Sequence, residues 1–256
     1  MTASLHRSDR PGQLPAETRI KDVLTGAEFG GEALLGLLEE SLRLKSERPG
    51  HGAPLAGKTL ALIFAKPSTR TRVSFEVGIK ELGGDTIVLH SRDMQLGRGE
   101  SIEDTGAVLS RYVAGLAVRT HAHAEVEALA AASSVPVINM LTDLFHPCQA
   151  LADLLTLLEQ FGRLDGLRVA YVGDGNNVLH SLLLTGAAVG VRFRVATPPG
   201  FEPAAEVVDA ARCVGGPDAV VLTHVAEEAA AGAHAVYTDV WTSMGREDER
   251  ETRLAA

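Results

Sequence analysis

Short apolar runs alternate with apolar stripes of helical period along most of this chain. Leu60 to Phe64 is one such run, passing through Pro67 into Ser68-Thr69-Arg70-Thr71-Arg72. Behind it Phe75, Ile79 and Leu82 recur at helical spacing until Gly83-Gly84. That pattern predicts a strand, a turn and a helix start. Upstream, Leu34, Leu37, Leu38, Leu42 and Leu44 lie opposite Glu39, Glu40, Arg43 and Lys45, an amphipathic helix that Pro49-Gly50 ends. Downstream, Thr86 to Leu89 reads as a strand, and Ser101-Ile102-Glu103-Asp104 as a capping box opening a helix through Tyr112. A strand at Leu116 to Val118, a helix around Val126 and Leu129, and a strand at Pro136 to Met140 follow. A helix after His146-Pro147 then carries Leu151, Leu154, Leu155 and Leu158 along one side.

A second series begins at Gly166. Strands at Val169 to Val172, Phe193 to Ala196, Ala219 to Leu222 and Ala235 to Thr238 alternate with helical stretches after Asn177, Pro203 and Val225. Strand–helix alternation implies parallel sheets covered by helices on both faces. Two series imply an α/β chain with two doubly wound parallel-sheet domains, 1–160 and 161–256, hinged near Phe161 to Asp165. Residues 1–17, with Pro11 and Pro15, read as a flexible leader.

Composition narrows the chemistry. The chain has 256 residues, 45% hydrophobic and 22% charged, enough for one large or two smaller cores. Its formal net charge of −9 argues against a nucleic-acid partner, because phosphate backbones reward a basic surface. No apolar run approaches the roughly 20 residues that span a bilayer, and the first residues lack a signal peptide's apolar core, so no membrane partner and a cytoplasmic location are expected. Cys148 and Cys213 suggest neither a disulfide framework nor a zinc ribbon. His121 and His123, with no nearby carboxylate or cysteine, read as lining a solvated loop and not as metal ligands. Neither a dinucleotide fingerprint nor a Walker lysine is present, and no cofactor is expected.

What remains is anion chemistry. A helix's first turn has free N–H groups and the positive end of the dipole, so Ser68, Thr69, Arg70 and Thr71 would surround a phosphate with donors. The plainer alternative there is an N-cap followed by solvated arginines. Arg119-Thr120, His146-Pro147-Cys148-Gln149, Gly173-Asp174-Gly175-Asn176-Asn177 and Asp239 to Gly245 each follow a predicted strand, where parallel sheets bind ligands. Singly, these are a surface charge, a helix entry and tight turns. On one rim, they offer anion binding, neutral donors and one carboxylate, which suits catalysis by positioning and charge stabilisation without a covalent intermediate.

Lys66 to Arg72, Gln95 to Ser101, His146 to Gln149 followed by Ala150-Leu151-Ala152-Asp153, Gly173 to Asn177, and Asp239 to Gly245 together resemble the ornithine carbamoyltransferase family. They occur in that family's order and spacing from about Leu34 to Glu247. The Ser-Thr-Arg-Thr and His-Pro-x-Gln motifs are shared with aspartate carbamoyltransferases, whereas Asp-Val-Trp-Thr-Ser-Met-Gly marks the ornithine branch. The resemblance implies a carbamoyl phosphate-binding domain over 1–160 and an ornithine-binding domain over 161–256. It implies carbamoyl transfer from carbamoyl phosphate to the δ-amine of ornithine, giving citrulline and phosphate. Ser68, Thr69, Arg70, Thr71 and Arg119 would hold the phosphate. Arg119, His146 and Thr71 would be catalytic donors to the carbonyl oxygen, and Gln149 would accept from the carbamoyl NH₂. Gln95 would reach a neighbouring subunit's site, implying a homotrimer. Asn177, Asp239, Ser243 and Met244 would surround ornithine.

The chain departs from the pattern in three places. Ala65 stands where the family usually has Glu, which removes a supporting ion pair. The stretch between Phe201 and Thr223 is shortened. Past Gly245 the family continues with a further strand–helix unit, a His-Cys-Leu-Pro loop and a later Arg, so a truncated second domain is expected. The alternative function is a non-catalytic relative that binds carbamoyl phosphate or assembles with full-length subunits.

Overall fold

The computed structural model describes residues 20–48, 50, 52–94 and 99–240. In the first half the elements are α1 (Gly31–Ser46), β1 (Thr59–Phe64), α2 (Thr69–Glu81), β2 (Asp85–His90), α3 (Ile102–Leu109), β3 (Gly115–Arg119), α4 (His123–Ala132), β4 (Val137–Leu141) and α5 (Pro147–Phe161). In the second they are β5 (Arg168–Val172), α6 (Asn177–Ala188), β6 (Arg192–Ala196), α7 (Ala205–Gly215), β7 (Val220–Thr223), α8 (Ala226–Ala230) and β8 (Ala235–Tyr237). The strands form two four-stranded parallel sheets, ordered β2-β1-β3-β4 and β7-β6-β5-β8. The expected α/β architecture of two doubly wound sheets is therefore present. A bridge from Val23 to Ile138 extends the first sheet beyond β4.

Side chains alternate across each sheet as the strand period requires. On one face of the first sheet Ala61, Ile63, Leu116 and Val118 pack with Val126 and Leu129 of α4. On the other, Leu62, Phe64, Ala117 and Met140 pack with Ile79 of α2. In the second sheet Val169, Tyr171, Phe193 and Val195 meet Leu179, Leu182 and Leu183 of α6 and Val207, Val208 and Ala211 of α7. That cluster continues into Ala150 and Leu154 of α5 and into Leu34 and Leu38 of α1. Two helices of the first half thus share one core with the second sheet. The connection between halves is packed as well: Gly162 ends α5 in the left-handed region at φ 68°, and Leu164 and Leu167 are buried.

Two helices end earlier than their apolar stripes predict. α3 stops at Leu109, three residues before Tyr112, which has little to pack on, being 79% exposed. α1 stops at Ser46, whose hydroxyl donates to the Arg43 carbonyl at 2.8 Å, before Pro49 can act. β3 runs one residue further than expected, to Arg119, and that residue proves decisive.

Strand order also fixes where a ligand can enter. The order in which strands are added reverses between β1 and β3 in the first sheet and between β5 and β8 in the second. Crevices beyond the carboxyl ends of strands at such reversals are the binding places of open α/β sheets. The loop from Ala65 to Ser68 and Arg119 flank the first crevice. Gly173 to Asn176 and Asp239 flank the second.

Candidate functional site

Ser68 is the N-cap of α2, with extended backbone at φ −160° and ψ 109°. Its hydroxyl donates to Thr71 Oγ1 at 2.8 Å and accepts only a long bond, 3.4 Å, from the Thr71 amide. The first turn that follows contains Thr69, Arg70, Thr71 and Arg72 and no acidic residue. Thr69 and Arg70 are exposed. An anion placed there meets the helix dipole, the first-turn N–H groups and the Arg70 side chain together, while Arg72 is paired with Glu76 one turn on.

Arg119 comes to the same place from β3. It is 6% exposed, and its Nη1 lies 3.4 Å from Thr71 Oγ1. Its Nε is buried without a partner, and among the described residues no carboxylate pairs with it. Burial pulls its pKa down from the ordinary value. A buried guanidinium without a counter-charge is costly unless an anion arrives to satisfy it.

His146 ends the β4–α5 loop as the N-cap of α5, with Pro147 at the first helical position. Its amide donates to Ser181 Oγ at 3.0 Å, and Ser181 Oγ donates in turn to the Thr25 carbonyl at 2.8 Å, so α6 holds the loop. Its Nδ1 is buried and unpartnered. Burial first, and then the charge of Arg119, lower its pKa to about 4, so the ring is neutral at neutral pH. One turn into α5, Gln149 Nε2 donates to Asp153 Oδ1 at 2.9 Å. Cys148, between them, is pushed up to about 12 by burial and stays a thiol, hydrogen-bonded to the Asn139 carbonyl, which fits a site without a covalent intermediate.

In the second crevice Asn176 is the N-cap of α6 and accepts from the amides of Val178 and Leu179. Its Nδ2 donates to Asp239 Oδ2 at 3.0 Å, and the Val240 amide donates to Oδ1 at 2.7 Å, so the carboxylate is held in place. Asn177 does not point to Asp239 here: its Nδ2 donates to the Thr142 carbonyl of the β4–α5 loop, tying the second half to the first. Gly175 passes so close to the Glu202–Pro203 backbone that a Cβ would overlap it. Gly175→Ala should therefore displace Asn176 and Asp239 together. A loss of about 2 kcal/mol in stability and a weakened ligand site in the second half are expected, readable by denaturant titration and calorimetry.

Of the expected site residues, the structure brings Ser68, Thr69, Arg70, Thr71, Arg119, His146 and Gln149 to the carboxyl rim of the first sheet, and Asn177 and Asp239 to that of the second. Gln95, Ser243 and Met244 lie outside the described residues. His123 corrects the solvated-loop reading: it is 7% exposed, its Nδ1 lies 3.1 Å from Thr142 Oγ1, and its ring meets Phe145 edge-on at 4.8 Å. Both cysteines are free, and among the described residues no cluster suits a metal ion. Sequence reasoning passed over Tyr237, whose hydroxyl donates to Asp153 Oδ2 at 3.0 Å. Asp153's position four residues after Gln149 was a readable signal, whereas Tyr237 is 84 positions away and gave none. A cavity of about 510 Å³, lined among others by Ile63, Val118, Glu100 and Glu125, opens on the α3–α4 face, and Ser68, Thr71, Arg119 and His146 are not in its wall.

Residues 21–159 match the family model of the aspartate/ornithine carbamoyltransferase carbamoyl-P binding domain, and 165–256 match that of the Asp/Orn binding domain. The chain belongs to the aspartate/ornithine carbamoyltransferase family. An ornithine carbamoyltransferase of Parafrankia sp. is 56% identical over 224 residues, covering 86% of this chain and 70% of that protein. One from Anoxybacillus flavithermus is 52% identical over 239 residues, covering 91% of this chain and 76% of the other. The solved ornithine carbamoyltransferase of Pyrococcus furiosus superposes with a TM-score of 0.86 at 45% identity, over 92% of this chain and 76% of that one. These likenesses place the chain in the ornithine branch of the carbamoyltransferase family, as its Asp239 to Gly245 motif implied.

Proposed function

We propose that this chain is an ornithine carbamoyltransferase that moves the carbamoyl group of carbamoyl phosphate to the δ-amine of ornithine. The observation that carries the reading is Arg119: a buried guanidinium beside Thr71, with no carboxylate partner among the described residues, at the amino terminus of a helix with no acid in its first turn. In this reading Ser68, Thr69, Arg70, Thr71 and Arg119 hold the phosphate. Arg119, neutral His146 and Thr71 donate to the carbonyl oxygen as it gains charge, and Gln149 accepts from the carbamoyl NH₂. Asn177, Asp239, Ser243 and Met244 receive ornithine, Asp239 facing the α-ammonium. The δ-nitrogen attacks the carbonyl carbon, the C–N bond forms, the C–O bond to phosphate breaks, and phosphate departs with the electron pair. The amine must first lose a proton, since one near the lysine reference is almost wholly protonated at neutral pH, and the departing phosphate is its candidate acceptor.

No cofactor, metal or nucleic acid enters this reading. It places the protein in the cytoplasm, in arginine biosynthesis, as a homotrimer whose Gln95 reaches a neighbour's site. Among the described residues no helix is long and apolar enough to cross a membrane.

Citrulline formation measured beside carbamoyl phosphate calorimetry tests the proposal. Both are expected, and Arg70→Ala should weaken carbamoyl phosphate binding beyond detection. Binding without product would favour the non-catalytic relative, and unchanged binding by Arg70→Ala would count against both.

A further inference from the structure

Gln149 has to present one particular end of its amide to a carbamoyl group, and a carboxamide's two ends have nearly the same shape. What decides the orientation is the partner. Asp153, four residues along α5, takes the Gln149 NH₂ on Oδ1 at 2.9 Å and the Tyr237 hydroxyl on Oδ2 at 3.0 Å. Both its oxygens are therefore occupied by donors. An ionised carboxylate only accepts, so the amide end facing it must be the NH₂, and the Gln149 Oε1 end is turned away from Asp153 with no hydrogen bond among the described residues.

Tyr237 comes from β8, in the other sheet, and is itself immobilised. Its ring stacks on Tyr171 with centroids 5.6 Å apart and planes at 18°, and Tyr171 Oη donates to the Asp174 carbonyl at 2.8 Å. Burial raises the pKa of both phenols, which keeps Tyr237 a donor. Burial also raises that of Asp153, with Gln149 and Tyr237 opposing the rise by hydrogen bonding.

We propose that Asp153, braced by Tyr237 from the second sheet, is a positioning residue that locks Gln149 with its amide oxygen available to a ligand NH₂. The carbamoyl pocket's choice of an amide nitrogen over a methyl group thereby depends on contact between the two halves. The inference rests on the carbamoyl phosphate reading and adds to it the group that sets its selectivity.

Acetyl phosphate, which carries CH₃ where carbamoyl phosphate carries NH₂, is the probe. Wild-type protein should bind carbamoyl phosphate about tenfold more tightly than acetyl phosphate, the worth of one hydrogen bond made against one left unmade. Asp153→Asn offers Gln149 a donor as well as an acceptor, so the amide can turn over. The ratio should fall to about one, with acetyl phosphate and inorganic phosphate binding unchanged. Tyr237→Phe removes the brace and should lower the ratio about threefold, which tests the idea even where Asp153→Asn folds poorly. On a Gln149→Ala background Asp153→Asn should change the ratio no further. A staple between halves with no orienting role would weaken both acyl phosphates equally, and that result overturns the inference alone. Wild-type protein that binds neither compound overturns the carbamoyl phosphate reading and this inference with it.

Discussion

Arg119→Met is expected to make the ligand-free protein more stable and the enzyme nearly inactive. The guanidinium is 6% exposed, its Nε has no partner, and the contact with Thr71 is long at 3.4 Å. Methionine has a similar length, needs no hydrogen bonds and loses nothing by desolvation. Replacing buried charges with well-packed apolar residues is often stabilising by about 1–4 kcal/mol. An increase of about 1 kcal/mol would raise the thermal midpoint of a chain of this size by about 2–4 °C. Carbamoyl transfer should fall by about 10³-fold or more, because the group would meet both the phosphate and the developing carbonyl charge in a water-poor site. Inorganic phosphate separates the two effects. It should raise the wild-type midpoint through binding to the folded state and leave the variant's unmoved. A variant that is less stable than wild type without ligand would show that Arg119 holds the fold together, and would remove the main support for an anion site.

That residue also shows how far the sequence could be read. Arg119-Thr120 stood out because it follows an apolar run, and the strand–helix alternation placed it on a ligand-binding rim. Both inferences rest on local period, which the sequence displays directly. Burial of the guanidinium is a different matter. It depends on β3 lying between β1 and β4 and on α2 crossing the same rim, relations of residues about 50 positions apart. The same limit explains His123, which local spacing assigned to a solvated loop and which Phe145 and Thr142 bury. It explains Asn177 too: its place at the start of α6 was legible, but its bond to the Thr142 carbonyl comes from the packing of α5 on α6, where both halves share a core.

His146 gives the second large effect, and it appears as a pH dependence. The ring titrates at about 4 in the folded chain against an ordinary 6.5, through burial and the charge of Arg119. Below about 6.5 the unfolded chain therefore takes up a proton that the folded one refuses, so stability falls as pH drops from about 6.5 to about 4. The full shift corresponds to about 3 kcal/mol, lost across that window and constant above it. His123 and His180 are shifted in the same direction by burial, so the wild-type acid limb is not His146's alone. The difference between wild type and His146→Gln isolates its share: the gap in stability should be flat above pH 7 and move in the variant's favour by about 3 kcal/mol on acidification to pH 4. An anion bound beside the ring would supply the missing counter-charge and raise its pKa. Phosphate binding near pH 5 should therefore draw protons into the wild-type protein and not into the variant, measurable by calorimetry in buffers of different ionisation enthalpy. Because the neutral ring is a donor to the carbonyl oxygen in the proposed reaction, His146→Gln should also cost about 10²-fold in kcat at neutral pH. Parallel acid limbs in the two proteins would mean that the ring is solvated when folded, and a solvated ring could not serve as the neutral donor assigned to it.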